Sequence, residues 1–515
     1  MTATYITTGQ APPLQTTFIV TNAEQPPQTT YVEIIEDPRA QRSYNRWTNK
    51  HSAHSATFGK FFKCWNTEAH FTVITAYFHQ GLLLFTYGGM DMAQGLQWNL
   101  NTAVTNTYEF EFSWFVGVII GAVVAALTVT HVPKRYFYLL GGVMLFIDAV
   151  IFVSAPYDYS PIVAARYVGG VGIGLITVAF IIHNSEVTLG SSRGKWCGLE
   201  QFGLALGILI QVLMDSQWNF KSSIGINTAH GIIGIIFSVI ATGSVAVSVE
   251  SPIFYLRNNN EDAARSCQTQ LLGTTAPTEV FNAIFDEDKR YVMEGTSQSF
   301  GAQFSASLMP FIKMIFSRCL VAFTFSVPLS LTMLGSTLIW KKSIYSWPMI
   351  LWSILRFIGV LLAIGVVDKL GRKFVSLLGL LCMAALMLAL AGILSHETYF
   401  SNTYFMSQVS RISMAFQFFA GLFVISTPAY LGEAFPMRVK PFFIGLVVCL
   451  EQVIHIIVIV TFGKSSDSYF QYFVGVGIIL VVSLIIFGAV MPETRGLSLR
   501  QAGERFSRVH DVMSY

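Results

Sequence analysis

Apolar runs of about 20 residues, the length that crosses a bilayer core, recur near 70–90, 110–131, 136–155, 160–183, 195–214 and 228–249. A polar stretch at 250–310 interrupts them, and they resume near 314–340, 347–367, 373–394, 411–432, 440–463 and 469–490. The pattern predicts an all-α membrane protein of 12 transmembrane helices in two six-helix bundles, at 70–249 and 314–490. Residues 1–69 form an N-terminal tail, 250–313 a central hydrophilic loop and 491–515 a C-terminal tail. Six spans, a loop and six more is the hydropathy signature of a two-halved transporter. The split between the eighth and ninth spans rests on Asp368–Lys373 alone.

Composition agrees with this pattern. Hydrophobic residues make up 53% of the 515 and charged residues only 12%, about half the charge of a soluble domain. The lipid bilayer is therefore the expected partner surface, and a net charge of +3 is too small to suggest nucleic acid.

Orientation follows from the basic residues. Lys134, Arg135, Arg193, Lys195, Lys369, Arg372, Lys373, Arg438 and Lys440 fall in alternate turns, on the side of the central loop and C-terminal tail. The opposite loops hold Lys221, Lys341, Lys342 and Lys464. Both termini are expected in the cytoplasm, and the plasma membrane is expected rather than an internal one. The N-terminus lacks an apolar core, so no cleavable signal peptide is expected, and residues 1–55 read as disordered. None of the six cysteines falls in a loop on the far side or forms a C-x-x-C pair. Neither disulfides, structural zinc nor another cofactor is expected.

Charges inside the apolar runs are candidate functional residues, because each costs at least ~3 kcal/mol at mid-membrane. Glu451 and His455 lie four residues apart on one face of the eleventh span, Arg356 is near the middle of the eighth, and Asp148 lies in the third. Arg356, Glu451 and His455 either line the path of a polar or ionised solute, or Arg356 and Glu451 pair to hold helices together. An unpaired ion at that depth is costly, so the two are expected close together in at least one conformation. Asp148 reads as structural or as part of the far rim. His79 and Gln80 in the first span are either path-lining or packing residues.

Six motifs then carry a resemblance. They are Arg166 with Gly169-Gly170-Val171-Gly172, Glu186 with Arg193-Gly194, and Glu250-Ser251-Pro252 with Tyr255-Leu256. Asp368-x-x-Gly371-Arg372-Lys373, Glu433 with Arg438, and Pro492–Leu499 complete the set. In order and at span boundaries, they resemble the sugar-porter branch of the major facilitator superfamily from about residue 70 to 499. The resemblance implies two bundles around a central cavity, rocking between two packings. It also implies gating roles for Arg166, Glu186, Arg193, Asp368, Arg372, Glu433 and Arg438. Ion pairs among the last six would latch the cytoplasmic face at ~1 kcal/mol each in a wet setting. Val132-Pro133-Lys134-Arg135 stands where the first half of the family carries a second D-x-x-G-R-R, so the N-terminal latch is expected to be the weaker.

The substrate region departs from the pattern. Gln201 and Gly207 match the family's fifth-span glutamine motif, but Leu331–Thr337 replaces Q-Q-x-S-G-x-N, and Glu451-Gln452-Val453-Ile454-His455 replaces N-W-x-x-N. Losing buried amides loses several hydrogen bonds of about 1 kcal/mol each, which argues against a simple hexose. Gln201, Thr332, Thr337, Arg356, Glu451, Gln452 and His455 are the expected substrate-binding residues. Gly88 stands where some members carry a proton-coupling aspartate, so facilitated diffusion of a small polar solute is expected. Two alternatives stay open: a non-transporting sensor, and a carrier of a charged organic solute coupled to protons through Glu451 and His455. No H-x-x-x-D, G-x-S-x-G or metal-ligand pattern suggests an enzyme.

Overall fold

The computed structural model describes residues 68–100, 104, 106–217, 224–273, 278–463 and 465–510, with side chains from residue 81. The expected tail over 1–67, the side chains of His79 and Gln80, and the loop lysines Lys221 and Lys464 lie outside the described residues.

The first half comprises α1 (Glu68–Gly95), α2 (Tyr108–Thr128), α3 (Lys134–Ser154), α4 (Tyr159–Val187), a short α5 (Arg193–Cys197) leading into α6 (Leu199–Gln217), and α7 (Ile226–Ser244). Three connecting helices follow: α8 (Pro252–Arg257), α9 (Glu261–Leu272) and α10 (Thr278–Ser297). The second half comprises α11 (Phe300–Arg318), α12 (Val327–Lys341), α13 (Trp347–Leu370), α14 (Arg372–Leu394), α15 (Thr403–Val424), α16 (Thr427–Glu433), α17 (Lys440–Thr461) and α18 (Ser466–Val490). A tail helix, α19 (Leu499–Ser507), closes the chain. Eleven segments among the described residues are long and apolar enough to cross a membrane, counting α5–α6, α11–α12 and α15–α16 as single segments. Helix α1 packs on α6 and completes the first half.

Each half is held by its own helix pairs, α2–α4, α1–α6 and α3–α7 in the first, and α13–α15, α14–α18 and α12–α15 in the second. The halves meet along two seams, α2 on α17 and α6 on α13. With lipid tails as apolar as leucine, close backbone approach supplies the packing energy. On α2 and α4, Gly117 and Gly121 face Gly170 and Gly174, and a Cβ at Gly170 would strike the Trp114 carbonyl. Outer faces stay apolar, as Ile478, Ile479, Val482 and Ile485 show on α18.

The seventh span differs from the expected 314–340. Its helix begins at Phe300, inside the stretch read as loop, because Gln303, Ser307, Lys313 and Pro310 dilute its apolar signal. The span then breaks. A 3-10 turn at Cys319–Phe323 and an extended Ser326 precede α12, which restarts with Pro328 in its first turn. The break frees the Thr324 carbonyl, which accepts from Arg356 Nη1 at 3.1 Å and from Gln417 Nε2 at 3.1 Å. Broken backbone at membrane depth needs such internal partners.

Candidate functional site

A cavity lies between the halves, bounded by α2, α4 and α6 on one side and by the α11–α12 break, α13 and α17 on the other. Of the expected binding residues, Gln201, Arg356, Glu451, Gln452 and His455 line it. Thr332 and Thr337 do not. Both are buried on α12 away from the cavity, and neither hydroxyl has a hydrogen-bond partner among the described residues.

Two charged residues missed by sequence reasoning organise this site. Arg318, at the end of α11, donates to both oxygens of Glu200 on α6 at 2.9 and 2.5 Å, and through Nε to Glu451 Oε2 at 2.6 Å. One guanidinium thus ties α6 in the first half to α11 and α17 in the second. The signal was available: both Arg318 and Glu200 are charges inside apolar runs, the criterion that singled out Arg356.

The expected Arg356–Glu451 pair is absent here. Arg318 occupies Glu451, while Arg356 bonds the Thr324 carbonyl, the Thr324 hydroxyl at 3.2 Å and Gln417 Oε1 at 2.9 Å. His455 stacks on Phe115 of α2, with ring centroids 4.6 Å apart.

At one end of the seam, charged residues join the halves. Glu433, ending α16, accepts from Arg193 Nη1 at 2.7 Å and from Arg372 Nη1 at 2.6 and 2.7 Å. Asp368 accepts from the backbone N–H groups of Gly194 and Lys195 at 3.1 and 2.8 Å, and from Arg372 Nη2 at 3.3 Å. A carboxylate capping helical N–H groups across the seam is favoured by both hydrogen bonding and the helix dipole. Glu493 of the tail accepts from the Arg372 and Lys373 N–H groups. The cluster is dry rather than wet, since the side chains of Arg372 and Glu433 are 0% exposed.

Three gating expectations are corrected. Glu186 pairs with Lys134 at 3.2 Å, and Lys134 also pairs with Glu250 at 3.2 Å, so a lysine alone closes the motif where arginines were expected. Arg438 is exposed and bonds the Gln298 carbonyl at 3.1 Å, with no ion pair among the described residues. Its position after α16 turns it away from the seam. Arg166 sits two turns into α4, far from Glu186 at the other end of that helix. It donates to the carbonyls of Phe110 and Asp91 at 3.0 and 2.9 Å and to Ser113 at 3.2 Å.

Arg166 belongs to a polar cluster inside the first half. His230 Nε2 lies 2.9 Å from Asp91 Oδ1, and its Nδ1 lies 3.0 Å from Gln211 Oε1. Asp148 is fully buried here, its carboxylate meeting that of Asp91 beside Gly169. Gly88 is filled over by Ile173, and Asp91 lies one turn on in α1. Away from the Arg372–Glu433 cluster, buried Trp98 donates to Ser330 Oγ at 3.1 Å and lies 5.2 Å from the Trp352 ring, a second contact between the halves.

Comparison with known proteins adds five observations. The family described as Sugar (and other) transporter matches residues 69–506. The Hexose transporter 1 of Plasmodium yoelii yoelii is 23% identical over 424 residues, 75% of this chain and 79% of its own length. The Glucose transporter GlcP of Staphylococcus epidermidis is 24% identical over 404 residues, 76% of this chain and 86% of its own length. Among solved structures, the proton:xylose symporter XylE bound to 6-bromo-6-deoxy-D-glucose superposes with a TM-score of 0.67 at 19% identity, over 86% of this chain and 100% of that one. The partially occluded inward-open form of XylE from E. coli gives 0.60 at 19% identity, over 83% and 99%.

Proposed function

We propose, because the chain belongs to the sugar (and other) transporter family and is a multi-pass secondary transporter rather than an enzyme, that it carries a polyhydroxylated solute through the central cavity by facilitated diffusion. The observation that carries this reading is a cavity between two helical halves with charged and amide side chains on its wall, and contacts between the halves at both ends. In this reading Gln201, Arg356, Glu451, Gln452 and His455 contact solute. Arg193, Asp368, Arg372 and Glu433 latch one face, and Trp98 with Ser330 and Trp352 closes the other. The halves 70–249 and 314–490 rock about the seams, with 250–313 as their connector. The bias of lysine and arginine supports a cytoplasmic latch face and cytoplasmic termini, with the plasma membrane as the site of action.

The test is counterflow of a labelled panel of hexoses, pentoses and sugar derivatives in proteoliposomes holding the purified full chain, without a pH gradient. Exchange above empty liposomes is expected. Exchange that requires an imposed proton gradient would overturn facilitated diffusion, and no exchange of any sugar or sugar derivative would overturn the transport reading.

A further inference from the structure

Every charged side chain on the cavity wall has its countercharge beside it except one. Glu200 and Glu451 are both taken by Arg318. Arg356, 3% exposed, donates only to neutral acceptors, the two oxygens of Thr324 and the amide oxygen of Gln417. Among the described residues it makes no ion pair, and its buried Nε–H has no acceptor.

The unclaimed polar atoms of the wall share this character. Trp114 Nε1 and Gln201 Nε2 are also buried and unpartnered. Arginine and tryptophan N–H groups are donors under every assignment. The unclaimed atoms that can accept are Gln452 Oε1 and His455 Nδ1, the latter only in one tautomer. The cavity therefore offers a planar cationic fork with further donors, and a smaller set of acceptors suited to hydroxyl groups.

A neutral sugar satisfies donors one oxygen at a time and leaves the guanidinium without a counterion. A carboxylate offers two acceptor atoms in the geometry of the fork and gives Arg356 the direct ion pair it lacks. A cationic solute would meet Arg356 unshielded and find both carboxylates engaged.

We propose that the cavity selects a polyhydroxy carboxylic acid, a sugar acid, with the Arg356 guanidinium taking the carboxylate and Gln201, Glu451 and Gln452 taking hydroxyl groups. The inference rests on the cavity being the solute site and names the class of solute within it.

The experiment measures uptake and exchange of labelled D-glucuronate against D-glucose by the full chain in proteoliposomes, together with the melting shift each solute gives in detergent. Wild type is expected to favour glucuronate in apparent affinity by tenfold or more. R356Q should lower the glucuronate-to-glucose ratio at least tenfold, and R356K should fall between the two. A wild-type ratio of one or below overturns the proposal, and this reading holds even if R356Q fails to fold. A preference for glucuronate that survives in a folded R356Q also overturns it. Glucose exchange without glucuronate exchange sinks this inference and leaves the transport reading standing. Selective glucuronate melting shifts without exchange do the reverse.

Discussion

Replacing Arg318 by methionine keeps an unbranched stem but removes the one cation shared by Glu200 and Glu451. Three charge-assisted hydrogen bonds vanish, at 2.9, 2.5 and 2.6 Å. Two carboxylates, with side chains 1% and 5% exposed, then face each other without a counterion. Removing one partner from a buried ion pair costs about 3–5 kcal/mol, and here a single change orphans two carboxylates. R318M should therefore lie at the upper end of that range. E451Q is a milder change by the same reasoning. It leaves the bidentate Arg318–Glu200 pair intact, keeps an acceptor oxygen near Nε, and loses about 1.5–3 kcal/mol of charged hydrogen bonding at most. The triple change R318M/E200Q/E451Q removes both orphaned carboxylates and should recover much of what R318M alone loses, a departure from additivity expected of residues in contact. Thermal melting of the detergent-solubilised chain, followed by fluorescence-detected gel filtration, reads the order wild type, E451Q, triple, R318M. The reasoning fails if R318M melts with wild type, if E451Q is equally damaging, or if the triple change is worse than R318M.

At the latch, E433A and R372A should slow sugar exchange while solute binding, read by melting shift, persists; a folded variant that no longer binds would contradict the latch role. The stability loss there should approach ~3–5 kcal/mol rather than the ~1 kcal/mol of a wet pair, because both side chains are fully buried. W98A removes the bond to Ser330 and the ring against Trp352. It should raise several-fold the rate at which a thiol reagent reaches a cysteine replacing Leu204 on the cavity wall, in a background without native cysteines; unchanged labelling would show that Trp98 does not close that end. Burial pushes the Glu250 carboxyl up, but the Lys134 ammonium 3.2 Å away, His183 and the Ser251 N–H outweigh it and hold it below the usual carboxylate range. A depressed carboxylate stabilises the fold above its unfolded pKa of about 4.3 and loses that contribution as pH falls through the lower folded value. Melting temperature should drop on acidification below about pH 4 in wild type and flatten in E250Q; parallel curves would refute the assignment.

Much of this architecture was legible in local sequence. Hydropathy is a property of 20-residue windows, so the spans and the polar connector could be read directly. The cost of a charge in an apolar run also pointed to Arg356, Glu451 and His455, which do reach the cavity. What local sequence could not supply was the choice of partner. Glu451 was matched to Arg356 because both lie at mid-span, but the break at 319–326 brings Arg318, 133 residues away in the chain, onto Glu451 instead. The start of α11 at Phe300 was hidden for a related reason: its polar face is covered by the tail, with Lys313 Nζ bonding the Arg508 carbonyl, so the segment need not be apolar all round. Motif order likewise put Arg166 among the gate residues. Its place near the start of the 160–183 run already set it at the opposite end of that span from Glu186, and the fold puts it beside Asp91 and Asp148. Sequence decides which segments leave water and which charges must find company; the crossing of helices and the placement of a single break decide whose company they find.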